Sequence, residues 1–169
     1  MSHESTRFDR VPATEAERDD EDPEQVTREE ILDFWEDRYG VPRPVFDDYT
    51  FWERGAGKIW IFRGDAPSPV DVEGLGMTFL RTRQEHWKPT TEAVQRFGGH
   101  ADKCTVHLDA DQAATFVAGE DQELADWEGD WGYLIVSHDL VGESEPMGVG
   151  LYLYGELRSQ VPKGRQRAL

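Results

Sequence analysis

Asparagine is absent from these 169 residues, and lysine occurs only at positions 58, 88, 103 and 163. Basic residues of both kinds number 18 against 35 Asp and Glu, a formal net charge of -17. A surplus of that size keeps a protein soluble but sets its compact state against its own charge, and salt relieves the repulsion. In molar salt the Debye length is about 3 Å, so distant charges scarcely interact. The composition is that of a protein from an organism with molar cytoplasmic salt. Acidity of that origin describes the solvent more than a basic partner.

Cysteine occurs once, as Cys104. That excludes an intramolecular disulfide and a cysteine-rich zinc site. Its setting, Cys104-Thr105-Val106-His107-Leu108, leans apolar, which predicts a buried thiol. No apolar run reaches the roughly 18 residues of a membrane-spanning helix. The first residues are polar and acidic, unlike a signal peptide. The expectation is a cytoplasmic protein with no membrane partner. Apolar residues are only 37% of the chain, but six Trp, eight Phe and five Tyr supply large faces for a core.

Motifs of enzymes are also missing. Gly55-Ala56-Gly57-Lys58 lacks the spacing of a phosphate loop and leads into a strand, so it reads as a hairpin turn. No Gly-x-Gly-x-x-Gly opens a helix after a strand, and no Gly-x-Ser-x-Gly occurs. The histidines, at 3, 86, 100, 107 and 138, form no His-Glu-x-x-His. A metal site would need Cys104, His107, His138 and nearby acids to converge, and their spacing does not require it. Carboxylates are too abundant to nominate an acid/base pair. No catalytic residue, metal ligand or cofactor is assigned.

What is present divides the chain in three. Residues 1–26, rich in Asp, Glu, Ser, Thr and Pro, predict a disordered acidic tail, either solvated or partner-binding. Residues 27–66 predict a small α+β unit. Thr27-Arg28-Glu29-Glu30 is a capping box, Ile31, Leu32, Phe34, Trp35 and Tyr39 give an apolar side, and Gly40 suits the helix end. Strands at 49–52 and 58–62 then form a hairpin. Gly64 to Pro69 reads as a linker. Residues 67–169 predict a strand near 75–79, a helix capped at Thr90 or Thr91 and ending near Phe97, and a strand at 104–108. A helix capped by Asp109, strands at 133–136 and 147–154, and a last strand at 156–160 follow. Short strands with two short helices point to an α+β fold containing a small mixed β-barrel. Gly148 and Gly150 would serve its close backbone packing.

The cations are unevenly placed. No acid follows Glu156, while Arg158, Lys163, Arg165 and Arg167 do. A second island, Arg81, Arg83 and Lys88, surrounds Trp87. Arginine can grip phosphate bidentately, and an exposed indole can stack on an unpaired base. The plainer alternative makes Trp87 a core anchor and these cations a solvated turn.

The C-terminal run Pro146-Met147-Gly148-Val149-Gly150, then Gly155-Glu156-Leu157-Arg158, then Pro162-Lys163-Gly164-Arg165, resembles the PUA-like domain that closes Sun-family RNA cytosine-5 methyltransferases. Gly74-Leu75 followed by Trp87-Lys88-Pro89-Thr90 is similar to an earlier part of that pattern. The resemblance covers about residues 70–169, and residues 27–63 look like the segment that often precedes such domains. Leu151, Arg158-Ser159 and Val161 depart from it, where the family has lysine, Lys-Asn and an aromatic. The catalytic cysteine pair and cofactor fold of the methyltransferase are not in this sequence. The resemblance implies a PUA-like protein without the methyltransferase. It implies binding of structured RNA, tRNA or rRNA, in RNA modification or ribosome maturation, with no catalysis of its own. The implied RNA contacts are Arg81, Arg83, Trp87, Lys88, Arg158, Lys163, Gly164 and Arg165, with both islands forming one surface. The rival expectations are an adaptor that docks a separate RNA-modifying enzyme and, further off, a small metal-dependent enzyme.

Overall fold

The computed structural model describes residues 6–18, 21–140 and 143–167. The chain divides into two compact units, residues 1–88 and 89–169. Both combine helices with sheet, so the chain is α+β.

Unit 1 holds helix α1 (Arg28–Tyr39) and strands β1 (Arg7–Arg10), β2 (Tyr49–Glu53), β3 (Lys58–Arg63), β4 (Val70–Asp71) and β5 (Met77–Arg81); β6 (Lys88–Pro89) spans the boundary. The sheet order is β4-β1-β2-β3-β5-β6. Helix α1 begins at the anticipated capping box. Thr27 Oγ1 accepts from the Glu30 N–H at 3.1 Å, and the Thr27 N–H donates to Glu30 Oε1 at 2.9 Å. Gly40, at φ 72°, ends it in the left-handed region. Ile31, Trp35 and Tyr39, spaced four apart on one side, are buried. Trp35 stacks on Phe79 at 5.2 Å and meets Phe46 at 6.0 Å.

Neighbouring residues of β2 point to opposite faces of the sheet, and both are buried. Phe51 joins the α1 side, 5.3 Å from Phe79. Trp52 joins Phe8 and Leu75 on the other side, with Trp60, Phe62, Ala66 and Val70 packed around them. The sheet is therefore covered on both faces. That explains why residues 6–18 depart from the expected disordered tail. Phe8 is fully buried, and β1 pairs Arg10 with Trp52 and Phe8 with Val70. Composition averaged over 26 residues hid a single aromatic with a pocket waiting for it. Residues 1–5 (with His3) and 19–20 of that expectation lie outside the described residues. The expected linker at 64–69 is likewise part of unit 1: the Arg10 N–H donates to Ser68 Oγ at 3.0 Å. The boundary falls at 88/89 rather than 66/67.

Unit 2 holds α2 (Thr91–Phe97), β7 (Thr105–Leu108), α3 (Ala110–Val117), β8 (Gln122–Glu123), β9 (Gly132–Leu140), β10 (Glu143–Leu153) and β11 (Glu156–Ser159). Thr90 caps α2 and the Asp109/Gln112 capping box opens α3. The sheet order is β7-β9-β10-β11-β8, with β7 parallel to β9 and the other pairs antiparallel. Among the described residues β7 and β8 are edges of this sheet, not paired to each other. Met147 is the extra residue of a bulge between Pro146 and Gly148. Its carbonyl accepts from Gln95 Nε2 of α2 at 2.9 Å. At Gly150 a Cβ would stand 2.6 Å from Leu157 Cδ1, the close packing anticipated for this strand. Leu108, Phe116, Leu134, Val136, Tyr152 and Leu157 form the core, against which the half-buried Cys104 packs. The thiol is thus less enclosed than expected, and its backbone is left-handed at φ 48°.

Candidate nucleic-acid interface

The first cationic island lies at the end of β5 and in the loop after it. Arg81 is exposed. Arg83 turns back on the N-terminal segment, donating through Nη2 to Asp22 at 3.0 Å and through Nη1 to Glu24 at 3.1 Å. Trp87 is half-buried with its ring 5.1 Å from Phe34 of α1, so it is in part the core anchor of the plainer alternative. Lys88 is half-buried; desolvation lowers its ammonium pKa, and Arg81 adds to the effect. Trp87, Arg83 and Thr82 line an open depression of about 480 Å³ together with Arg18, Glu24 and Glu30. Arg18 and Glu30 form an ion pair of 3.0 Å there. The lining cations thus meet carboxylates inside unit 1. No local pattern in the sequence marks the pairs of Arg83, because Glu24 and Asp22 lie 59 and 61 positions from it.

The second island lies at the end of unit 2. Arg158, on β11, donates through Nε to Glu156 Oε1 at 2.8 Å. Arg165 donates through Nη2 to Glu92 of α2 at 2.6 Å. Both pairs are solvent-exposed, and exposed pairs of this kind contribute little and exchange easily. Lys163 opens a 3-10 turn, Lys163–Arg165, and is exposed. Gly164 does not serve backbone shape: a Cβ there would meet nothing within 4 Å, and its φ is not positive. That role belongs to Gly119, just past the end of α3. Its φ is +83°, and a Cβ would stand 2.3 Å from the Gln166 side-chain amide. The Arg167 N–H donates to the Val117 carbonyl at 2.8 Å, and Gln166 Nε2 donates to the Val161 carbonyl at 3.2 Å. The cationic segment is thus fastened to the C-terminal end of α3, where positive charge is favoured.

Arg81, Arg83, Trp87 and Lys88 belong to unit 1, and Arg158, Lys163, Gly164 and Arg165 to unit 2. Each island is built within its own unit.

Two histidines of unit 2, His107 and His138, are engaged in contacts within that unit. His138 Nδ1 lies 2.7 Å from the Leu108 carbonyl, and His107 Nε2 lies 3.2 Å from Asp139. Among the described residues no group of three or more His, Cys, Asp and Glu is placed to hold a metal ion. Gly55 and Gly57 form the expected hairpin turn, both at positive φ. Among the described residues no helix is long and apolar enough to cross a membrane.

One feature of unit 2 had no forecast from the sequence. The exposed Trp131 and Tyr154 meet with ring centroids 4.8 Å apart. Its signal was the Tyr154-Gly155 dipeptide between two strands, which marks a turn whose first residue is unusually large.

A model described as a family of unknown function (DUF7122) matches residues 1–76, so the match lies within unit 1 and stops at Gly76, just before β5. No curated protein matches the chain.

Proposed function

We propose that this protein binds structured RNA, tRNA or rRNA, through the cationic close of a PUA-like unit 2, in the cytoplasm, without catalysing a reaction. The observation that carries the reading is the fastening of residues 163–167 onto α3. Lys163, Arg165 and Arg167 stand on a backbone held by hydrogen bonds from Arg167 and Gln166, with Gly119 shaped to admit them. Cations on ordered backbone lose less freedom when they meet phosphate than cations on a loose tail. Arg158 and Arg165 exchange exposed carboxylate partners for phosphate oxygens in this reading. Arg81, Arg83, Lys88 and Trp87 act as a secondary surface, with Arg83 leaving Asp22 and Glu24. RNA modification or ribosome maturation is the setting that the resemblance to Sun-family methyltransferases implies.

The test is filter binding of tRNA and rRNA fragments to the full chain in its working salt. The double variant K163E/R165E is expected to bind at least about tenfold more weakly. Lys163→Glu alone, which leaves the Arg165–Glu92 pair intact, is expected to account for part of that loss. Unchanged affinity in both variants would remove these residues from the site.

A second reading, an adaptor that docks an RNA-modifying enzyme, draws on the ion pairs already formed by Arg83, Arg158 and Arg165. Co-purification from the native host separates the two: stoichiometric RNA supports the first, and a protein partner without RNA supports the second.

A further inference from the structure

Strands β10 and β11 are joined by a two-residue turn, Tyr154-Gly155, between the paired residues Leu153 and Glu156. Both turn residues have positive φ, 52° for Tyr154 and 81° for Gly155. Turns of this hand favour Asn, Asp or Gly at the first position, because a Cβ there crowds the following carbonyl. A tyrosine is an unfavourable choice for the backbone. It gains little from packing in return, since Tyr154 is 79% exposed. Trp131, just before β9, is 48% exposed and presents its ring to Tyr154 in an edge-on arrangement, 65° between planes. Strain at an exposed aromatic, beside a second exposed aromatic, marks a surface kept for contact.

The charge beside Tyr154 is mostly negative. Glu123 and Glu156 are direct cross-strand partners of β8 and β11, an arrangement that destabilises a sheet. With Tyr154 they line an open depression of about 420 Å³, in which Arg158 is the one cation. The segment between α3 and β9 adds exposed Asp121, Asp126, Glu128 and Asp130. No lysine or arginine occurs between Lys103 and Arg158. Carboxylates outnumber the one cation in this lining, which disfavours phosphate beside Tyr154. A guanidinium or ammonium is attracted twice, by the carboxylates and by the ring faces.

We propose that the Trp131–Tyr154 face docks an arginine- or lysine-bearing segment of a partner protein. The cationic head of one side chain lies against the Tyr154 ring, and Glu123 accepts its hydrogen bonds beside Glu156, whose carboxylate already accepts from Arg158 at 2.8 Å. This site adjoins the cationic close of unit 2 at Arg158, which lines the depression, but Lys163, Arg165 and Arg167 are not among its lining residues. It rests on the adaptor reading only in requiring a protein partner.

The test uses the full chain and two fluorescein-labelled peptides, one alternating Gly-Ser with arginine and one with glutamine in place of each arginine. Binding is read by fluorescence anisotropy. Because a protein of charge -17 attracts any cationic peptide, the deciding variants leave charge untouched. Tyr154→Asn suits the turn and removes the ring; Trp131→Phe shortens the second aromatic. Tyr154→Asn is expected to bind the arginine peptide about fivefold more weakly than the parent protein, with a smaller loss for Trp131→Phe. Its melting temperature is expected to be no lower than the parent's. Affinity for the arginine peptide within twofold of the parent's in Tyr154→Asn would overturn the proposal. So would equal affinity of the parent for the two peptides. Loss of tRNA binding in Tyr154→Asn with peptide binding intact would assign the face to nucleic acid instead. The outcome of K163E/R165E with RNA is independent of all three results.

Discussion

Glu53 shows how one side chain carries both structure and a cost. Its carboxylate accepts from the Gly57 N–H at 2.7 Å, tying off the β2–β3 hairpin. Burial raises its pKa above the ordinary carboxylate value; the Gly57 bond and the Arg83 charge pull it down by less. The folded state therefore binds the proton more tightly than the unfolded state. Stability from this group is fully present below the unfolded pKa of about 4.3 and is lost as pH rises through the raised folded value. Glu53→Gln keeps an acceptor for Gly57 and removes the titration. Urea melts from pH 4 to 7 are expected to show the variant gaining on the parent as pH rises, and a constant difference would refute the assignment. The helix caps at this scale were readable in sequence: Thr27, Thr90 and Asp109 all bond as their local patterns dictate. The partners of the cations were not. Glu92 lies 73 positions from Arg165 and Asp22 lies 61 from Arg83, and no local rule pairs residues so far apart.

Strand β1 carries the largest difference between expectation and structure. It is four residues long, with charged residues at three of its positions and Phe8 inserted into the indole-lined face of the sheet. Phe8→Ala is expected to cost about 3–5 kcal/mol, the usual range for removing a fully buried phenyl ring. Chemical denaturation followed by tryptophan fluorescence measures it. A change under about 0.5 kcal/mol, as for an unattached segment, would refute the packing described. Longer strands announced themselves. Residues 133–136 lie inside β9 and residues 147–153 inside β10, with Tyr154 of the expected strand in the turn that follows, because apolar runs bounded by turns need no distant information. β4, β6 and β8, two residues each, exist only as additions to a neighbour and leave no pattern of their own. Among the described residues β7 and β8 are the edges of the unit 2 sheet.

For the molecule as a whole, net charge competes with its local pairings. The ion pairs of Arg7, Arg10, Arg158 and Arg165 are exposed and lose strength in salt. Salt also relieves the mutual repulsion of a chain carrying -17. The second effect is summed over the entire surface and is expected to win. The melting temperature should rise steadily from 0.1 M to 2 M KCl, read by scanning fluorimetry; a fall across that range would show that the pairs dominate. The α+β class and the acidity were both plain in the sequence. The division at 88/89 was not, because Gly64 to Pro69 has the composition of a linker while its Ser68 is bonded to β1.

The position of β1 between β4 and β2 sets the order in which unit 1 assembles. Its partners, Trp52 and Val70, lie 42 and 62 residues downstream of Arg10 and Phe8. During synthesis the first strand leaves the ribosome long before either exists, and β4 has no edge to join until it arrives. Closing loops of that span is slow, so the hairpin of β2 and β3 forms early with its tryptophan face open to water. A chain halted in that interval is expected to carry a bare aromatic surface until β1 docks.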